Sequence, residues 1–277
     1  MLRIMSWNIN RQHNPWQELL NSDVDVALLQ EAKSPSPELA SLLEIAHPLP
    51  WETASVLNLS YRAAIARLSD RVTMQPRKLN TIESAQSDEL AVSRMGTLAV
   101  ADIFVNSTKE TITVASMYSV WESPTEGAGS GWKIYADASA HRLISDLSAL
   151  IGREKGHKII AAGDLNILYG YGEDGKPYWK ARYDTVFARM AALGLPFVGP
   201  QAPDGGEQAH PWPDELPLDS KNVPTFKTQS GTTTRQMDFV FASKSLRDRL
   251  HVQALNSPNE WGPSDHCRIL IELKDLD

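Results

Sequence analysis

Eight short segments along the chain carry the pattern of β-strands: LRIMSWNI, DVALLQE, AAIARL, TLAVADIFV, TITVASMY, KIIAAGDLN, QMDFVFAS and RILIEL. Several alternate apolar and polar residues, as half-buried antiparallel strands do. KIIAAG is continuously apolar, as a strand covered on both faces requires. Helical periodicity is rarer. The segment YADASAHRLISDLSALIG brings Ala138, Leu143, Ile144, Leu147, Leu150 and Ile151 near one stripe and stops at Gly152, and YWKARYDTVFARMAALG stops at Gly194 in the same way. Two helices with eight or more strands predict an α/β protein in which two sheets pack face to face with helices outside.

A chain of 277 residues can bury one large core, so a single domain over residues 1–277 is expected. With 42% apolar and 22% charged residues, disordered and fibrous classes are excluded. The lone Cys267 cannot pair within the chain, which excludes an internal disulfide framework and suits a reducing compartment. Arg3 and Asn8 interrupt the apolar run that a signal peptide would need, and no 18-residue apolar run occurs. These features predict a soluble, cytoplasmic protein with no membrane association, and no protein partner is evident. A net charge of −7 excludes a protein that holds nucleic acid mainly by an overall positive field. It leaves a nuclease open, because a groove can be locally basic and a carboxylate site reverses sign once a cation binds. Two stretches without periodicity, Val120 to Lys133 and Gly199 to Val223, are expected to be functional loops.

The polar residues of the strand-like segments cluster at their ends. Asn8 is late in its segment, Glu31 and Tyr118 end theirs, Asp238 lies in QMDFVF, and Asp265 and His266 precede the last strand. In IIAAGDLNIL, Asp164 and Asn166 are two positions apart and face the same way if the strand continues to Asn166. Each alone has a plain structural reading: Asn8 as a turn cap, Glu31 as a solvated strand end, Asp164 with Asn166 as an Asx turn, Tyr118 as a packed aromatic, His266 as a structural histidine. Asp238 resists such a reading, since a carboxylate inside an apolar strand needs a partner. The residues together predict convergence on one rim.

In their order, SWNIN, LLQE, SMY, GDLN, QMDFVFAS and SDH resemble the endonuclease/exonuclease/phosphatase superfamily, over nearly the whole chain. The resemblance implies a four-layer α/β/β/α sandwich of two packed mixed sheets flanked by helices. It implies Glu31 as the principal metal ligand, with Asn8 nearby and Asp265 as a further acidic group. Hard oxygen donors suit Mg²⁺ or Mn²⁺. Asp164 is then expected to orient or deprotonate the attacking water and Asn166 to hold a phosphate oxygen. Asp238 would fix the tautomer of His266 and stabilise its charged form. The choice of base stays open between Asp164 and His266. Tyr118 matches the tyrosine of the apurinic endonucleases and would sit near the leaving group or a phosphate oxygen. Asn10 departs from their pattern, where an Asp can help bind metal, and is expected to contact substrate instead.

The leading functional reading is a metal-dependent phosphodiesterase on DNA or RNA that leaves 5′-phosphate and 3′-hydroxyl ends. The alternative is a phosphatase or phosphodiesterase on a small or lipid phosphoester, such as an inositol phosphate or sphingomyelin. A scaffold that has lost its chemistry is disfavoured, because each motif position holds a competent residue. Trp121, Trp132, Trp179 and Trp212 lie in or beside the two loops, where rings can stack on bases, with Lys133, Arg142, Lys176, Lys180 and Arg182 nearby for phosphates. His141, near the start of its helix, is a further candidate for substrate contact.

Overall fold

A computed structural model describes residues 1–46, 60–120, 136–151, 156–207, 213–231 and 234–274. In chain order its elements begin with β1 (Leu2–Asn8), α1 (Asn14–Leu20), β2 (Val26–Ala32), α2 (Pro37–Ala40), β3 (Glu44–Ala46), β4 (Arg62–Arg67), β5 (Val72–Pro76), β6 (Leu79–Thr81) and β7 (Leu90–Val92). They continue with β8 (Leu98–Val105), β9 (Glu110–Tyr118), α3 (Ala136–Ile151), β10 (Ile159–Asp164), α4 (Pro177–Ala192), β11 (Phe197–Gly199), β12 (Phe226–Lys227), β13 (Thr234–Arg235), β14 (Asp238–Ala242), β15 (Leu250–Leu255) and β16 (Arg268–Leu273).

Twelve of the strands form two six-stranded sheets, ordered β15-β16-β1-β2-β4-β3 and β11-β14-β10-β9-β8-β5. Their inner faces share one apolar layer that includes Ile4, Leu28, Ile65, Ile103, Val114, Ile160, Val240 and Ile271. The outer face of the first sheet is covered by α1 through Trp16 and Leu19, packed with Trp7 and Leu29. The outer face of the second is covered by α3 and α4 through Leu143, Leu147, Tyr183 and Met190. The result is the four-layer α/β/β/α sandwich.

Helices α1 and α2 were not anticipated from periodicity. NPWQELL and PELA span seven and four residues, too few for a 3.6-residue repeat to stand out. Both are marked locally by proline in the first turn.

Each sheet has one parallel pair at its centre, β1 with β2 and β9 with β10. Strand β1 faces β10 across the core and β2 faces β9. The pairs β1–β16 and β10–β14 are antiparallel. Four central strands therefore end on the same rim where β14 and β16 begin, and this is what gathers the polar strand ends. Along β1, β2, β9 and β10 the inward positions turn from apolar to polar as the rim is approached. Beneath the rim, Gln30 Nε2 donates to Ser116 Oγ at 3.0 Å and to Leu28 O at 3.1 Å, and Ser116 Oγ donates to Leu29 O at 2.8 Å. Such partners offset most of the cost of burying these polar groups, although Gln30 Oε1 accepts no hydrogen bond.

Gly163, just before the rim on β10, has a steric reason to be glycine. A Cβ there would stand 1.9 Å from the carbonyl oxygen of Met117 on the neighbouring strand. Gly163→Ala must push β9 and β10 apart at the level of Asp164. We expect a loss of about 3 kcal/mol or more, at the upper end of overpacking costs, read as a fall in thermal midpoint. An unchanged midpoint would show that the strands can separate there without cost.

Candidate active site

The rim of the second sheet is set by register. Asp164 pairs through its Cα with Tyr118 on one side and Asp238 on the other. Two carboxylates opposite each other repel, and burial amplifies the repulsion. His266 relieves it. Its Nδ1 lies 2.8 Å from Asp238 Oδ2 and its Nε2 lies 3.8 Å from Asp164 Oδ2, with all three side chains buried. Burial alone would lower the imidazole pKa, but the charges of Asp238 and Asp164 and the Asp238 hydrogen bond outweigh it and raise it above its ordinary value. Burial raises the Asp164 carboxyl well above the usual carboxylate range, and the His266 charge opposes that rise.

Asp164 is held by donors from both sheets. Asn8 Nδ2 donates to its Oδ2 at 2.9 Å across the core, Asn166 N donates to its Oδ1 at 2.8 Å, and Asn166 Nδ2 donates to its Oδ2 at 3.1 Å. Three of the roughly four acceptor positions of a carboxylate are thereby filled, leaving one. Strand β10 stops at Asp164, and Asn166 has φ 51°. The two residues converge through an Asx turn rather than through strand alternation, because a left-handed residue reverses the chain where an extended one would carry it on. The second donor position of the Asn166 amide goes to Ser119 O at 3.0 Å. Both of its N–H groups are thus engaged within the protein, so here Asn166 steadies Asp164 rather than presenting a donor to a phosphate.

Glu31 also departs from alternation. The β2–β4 register shifts between Leu29 and Ala32, and Glu31 has φ 47°. The bulge turns Glu31 towards Tyr118, whose hydroxyl donates to Glu31 Oε1 at 2.8 Å. Tyr118 is therefore bound to the expected metal carboxylate. Burial and the Glu31 charge push its phenol far above the ordinary range, so it stays protonated. The second oxygen, Glu31 Oε2, is buried and accepts no aligned hydrogen bond; Arg11 Nε stands 3.0 Å away as an ion-pair partner.

Asn10 donates its backbone N–H to Asn8 Oδ1 at 2.9 Å. Asp265 Oδ1 lies 3.3 Å from Ser264 Oγ, which donates to Asn8 O at 2.7 Å and accepts from His266 N at 3.2 Å. His141 stands apart from this group. Its ring nitrogens meet Thr185 at 3.2 Å and Arg189 at 2.8 Å on α4, and burial and the Arg189 charge lower its pKa. It belongs to the α3–α4 contact, because its position on the helix faces α4. Trp121, Trp132 and Trp212 lie outside the described residues. Trp179 packs beside the second outer core, edge-on to Tyr178 at 5.0 Å with Arg182 over its ring at 5.5 Å.

Several contributors carried no sequence signal of their own. Thr225 Oγ1 accepts from both Met237 N and Asp238 N at 3.0 Å, and Thr225 O accepts from Cys267 N at 2.8 Å, so one buried residue ties the strand of Asp238 to that of His266. Phe226 lies 5.0 Å from the His266 ring. Arg11 and Tyr61 border Glu31, with Tyr61 edge-on to Tyr118 at 6.0 Å. Among the described residues, six non-glycine residues have positive φ, and four of them, Asn10, Arg11, Glu31 and Asn166, sit on this rim. Such concentrated strain marks a functional site.

The donors fit a hard divalent cation at Glu31, since its Oε2 is a buried carboxylate oxygen without an aligned hydrogen bond and the neighbouring Asn8 offers an amide oxygen. Among the described residues, Asp164, Asp238 and His266 also bring possible ligand atoms within 4.8 Å of one another. There Asp238 is already paired with His266 Nδ1, and Asp164 with the amides of Asn8 and Asn166, whereas Glu31 Oε2 has no aligned hydrogen bond.

The model of the endonuclease/exonuclease/phosphatase family matches residues 5–266. The chain belongs to that family, whose members are phosphoesterases and generally depend on a divalent metal. No curated protein matches the sequence. Among solved structures, the chain is similar to the endonuclease domain of TRAS1, a telomere-specific non-LTR retrotransposon, with 16% identity, TM-score 0.62 and 100% coverage of both chains. It is similar to the AP endonuclease LMAP from Leishmania major, with 13% identity, TM-score 0.59, and coverage of 99% of this chain and 88% of that one. It is also similar to a mannosyl-6-phosphatase of Bacteroides thetaiotaomicron, with 15% identity, TM-score 0.59, and coverage of 99% and 100%. These likenesses establish the fold. No helix among the described residues is long and apolar enough to cross a membrane.

The charge arrangement predicts a titration. In metal-free protein the His266 ring should hold its proton well above pH 6.5, and Asp238→Asn should lower its midpoint, followed by NMR of the ring. A group whose pKa is raised on folding stabilises fully below its unfolded value. That contribution is lost as pH rises through the folded value, so stability should fall on the alkaline side and do so less in His266→Gln. A ring that titrates at its ordinary value would refute the charge assignment.

Proposed function

We propose that the protein is a Mg²⁺- or Mn²⁺-dependent phosphodiesterase that hydrolyses nucleic acid. The observation that carries this reading is the single open acceptor position on Asp164, beside His266 Nε2 and on the same rim as Glu31. Glu31, with Asn8 and Asp265 nearby, would hold the cation, which when bound neutralises charge developing on the phosphoryl group. Asp164 takes a hydrogen bond from the attacking water and is the base. Its raised pKa favours that role, and three fixed donors orient it. His266, held protonated between two carboxylates, directs its Nε2 proton at a phosphoryl oxygen, and Asp238 fixes its tautomer. Asn8 and Asn166 keep Asp164 in place.

The choice of nucleic acid is supported by the half-exposed Arg11 at the rim and by the aromatic and basic residues Trp121, Trp132 and Lys133, which follow Tyr118 in sequence. Similarity to an endonuclease domain and an AP endonuclease agrees with it. Similarity to a sugar phosphatase keeps a small phosphoester as the competing substrate.

Cleavage should require Mg²⁺ or Mn²⁺ and stop in EDTA, and Glu31→Gln should lose most of the activity. Asp164→Asn and His266→Ala should each lower turnover by about 10² or more with unchanged circular dichroism, and Asp238→Asn comparably or less. Near wild-type turnover in either of the first two would remove that residue from the chemistry.

Water is the nucleophile in this scheme. Cys267 is buried in the core between the sheets, and burial pushes its thiol well up. Products should carry 5′-phosphate and 3′-hydroxyl ends, with one solvent oxygen at the 5′-phosphate in ¹⁸O water. Finding 3′-phosphate or 2′,3′-cyclic ends would reject the mechanism. Release of inorganic phosphate from an inositol or sugar phosphate, with no polynucleotide cut, would favour the competing substrate.

A further inference from the structure

Arg11 is placed by an unusual piece of backbone. Asn10 has φ 44° and Arg11 φ 60°, two consecutive non-glycine residues in the left-handed region. Each such residue costs about 1–2 kcal/mol. The pair is clamped to the bulge of β2, with Ile9 N donating to Gln30 O and Arg11 N donating to Glu31 O, both at 3.0 Å. This folds the arginine back over the rim instead of letting it run out into solvent. The guanidinium stands 3.0 Å by Nε from Glu31 Oε2, donates from Nη2 to Asn10 Oδ1 at 3.2 Å, and lies 5.4 Å from the centre of the Tyr61 ring.

The two partners differ in exposure. The Glu31 side chain is 15% exposed and the Arg11 side chain 49% exposed. Glu31 is enclosed, with its other oxygen held by the Tyr118 hydroxyl, whereas the head of Arg11 reaches the solvent. The pair also lacks an aligned hydrogen bond at Oε2, so it is held mainly by charge. A half-exposed pair of this kind contributes little stability.

We propose that Arg11 is an exchangeable counter-ion that holds the metal carboxylate in the resting protein and, when a divalent cation takes Oε2, transfers its guanidinium to the substrate phosphate. The inference rests on the reading of Glu31 as the metal carboxylate. A guanidinium and a divalent cation cannot share one carboxylate oxygen without strong repulsion, so the metal displaces the arginine. The displaced head remains tethered beside Asn10 and Tyr61 at the mouth of the site. There its planar set of donors matches a phosphate. One residue thus stabilises Glu31 before the metal arrives and binds the phosphate afterwards.

The test uses full-length protein and two probes, Mn²⁺ alone and inorganic phosphate in saturating Mn²⁺, each followed by calorimetry. Arg11→Ala should bind Mn²⁺ more tightly, by about threefold or more, because the competing cation is gone. The same variant should bind phosphate about tenfold or more weakly in saturating Mn²⁺, as expected for loss of a charge-assisted contact. Arg11→Lys should keep Mn²⁺ affinity near wild type and bind phosphate at an intermediate level. The sign separates this role from a structural one, since a damaged site would bind metal more weakly. Unchanged or weaker Mn²⁺ binding in Arg11→Ala, or phosphate affinity that does not depend on Arg11, overturns the proposal. Glu31→Gln is the control: if it binds Mn²⁺ as well as wild type, the metal assignment itself has failed. If it loses Mn²⁺ while Arg11→Ala behaves as wild type, only the role of Arg11 has failed.

Discussion

Where the two sheets meet at the rim, an amide reaches across the core to a buried carboxylate: Asn8 Nδ2 donates to Asp164 Oδ2 at 2.9 Å. Below it, apart from the contacts of Gln30 and Leu29 with Ser116, the sheets meet through apolar side chains, whose packing is indifferent to small sliding of one sheet over the other. A directed bond to a buried carboxylate is not indifferent. Asp164 is almost wholly enclosed, so leaving it short of donors would cost several kcal/mol. The bond therefore fixes how the end of β1 stands over the end of β10. Asn8 is itself held by Asn10 and Ser264, and Ser264 in turn takes the backbone N–H of His266. The geometry of the site descends from that cross-core bond.

Charge compensation is arranged in two separate groups. In one, His266 stands between Asp164 and Asp238, so two carboxylates in register on adjacent strands can coexist in a buried place. In the other, Glu31 is flanked by a phenol that keeps its proton and by a half-exposed arginine. The first group is buried, and the second reaches the solvent through Arg11. On the proposed function, the first group would move a proton and the second would receive the metal. Both groups draw residues from both sheets and share the one rim. The same fold is found in nucleases and in a sugar phosphatase, as expected when one frame can carry different activities.

The sequence by itself determined eight of the twelve strands of the two main sheets, the two long helices and the identity of most of the rim. Alternation is a local property, and polar residues at the ends of apolar runs are visible one segment at a time. The ordered motifs then carried the family and its four-layer fold. Short helices such as α1 fell below the length at which periodicity can be read. His141 was indistinguishable from a rim residue until α4 packed against it through Thr185 and Arg189.

Tertiary structure alone decided how the rim is joined. Strand alternation would have left Glu31 facing away from Gln30, and the bulge with φ 47° reverses that. It would have carried Asn166 along an extended strand, and a left-handed turn folds it back onto Asp164 instead. Thr225, Tyr61 and Arg11 belong to the site because distant strands pair and a two-residue left-handed turn is clamped to a neighbour's bulge. For residues other than glycine, left-handed backbone is locally unfavourable. No reading of local preference selects it; it persists here because the surrounding hydrogen bonds and buried charges cost more to abandon than the strain costs to keep.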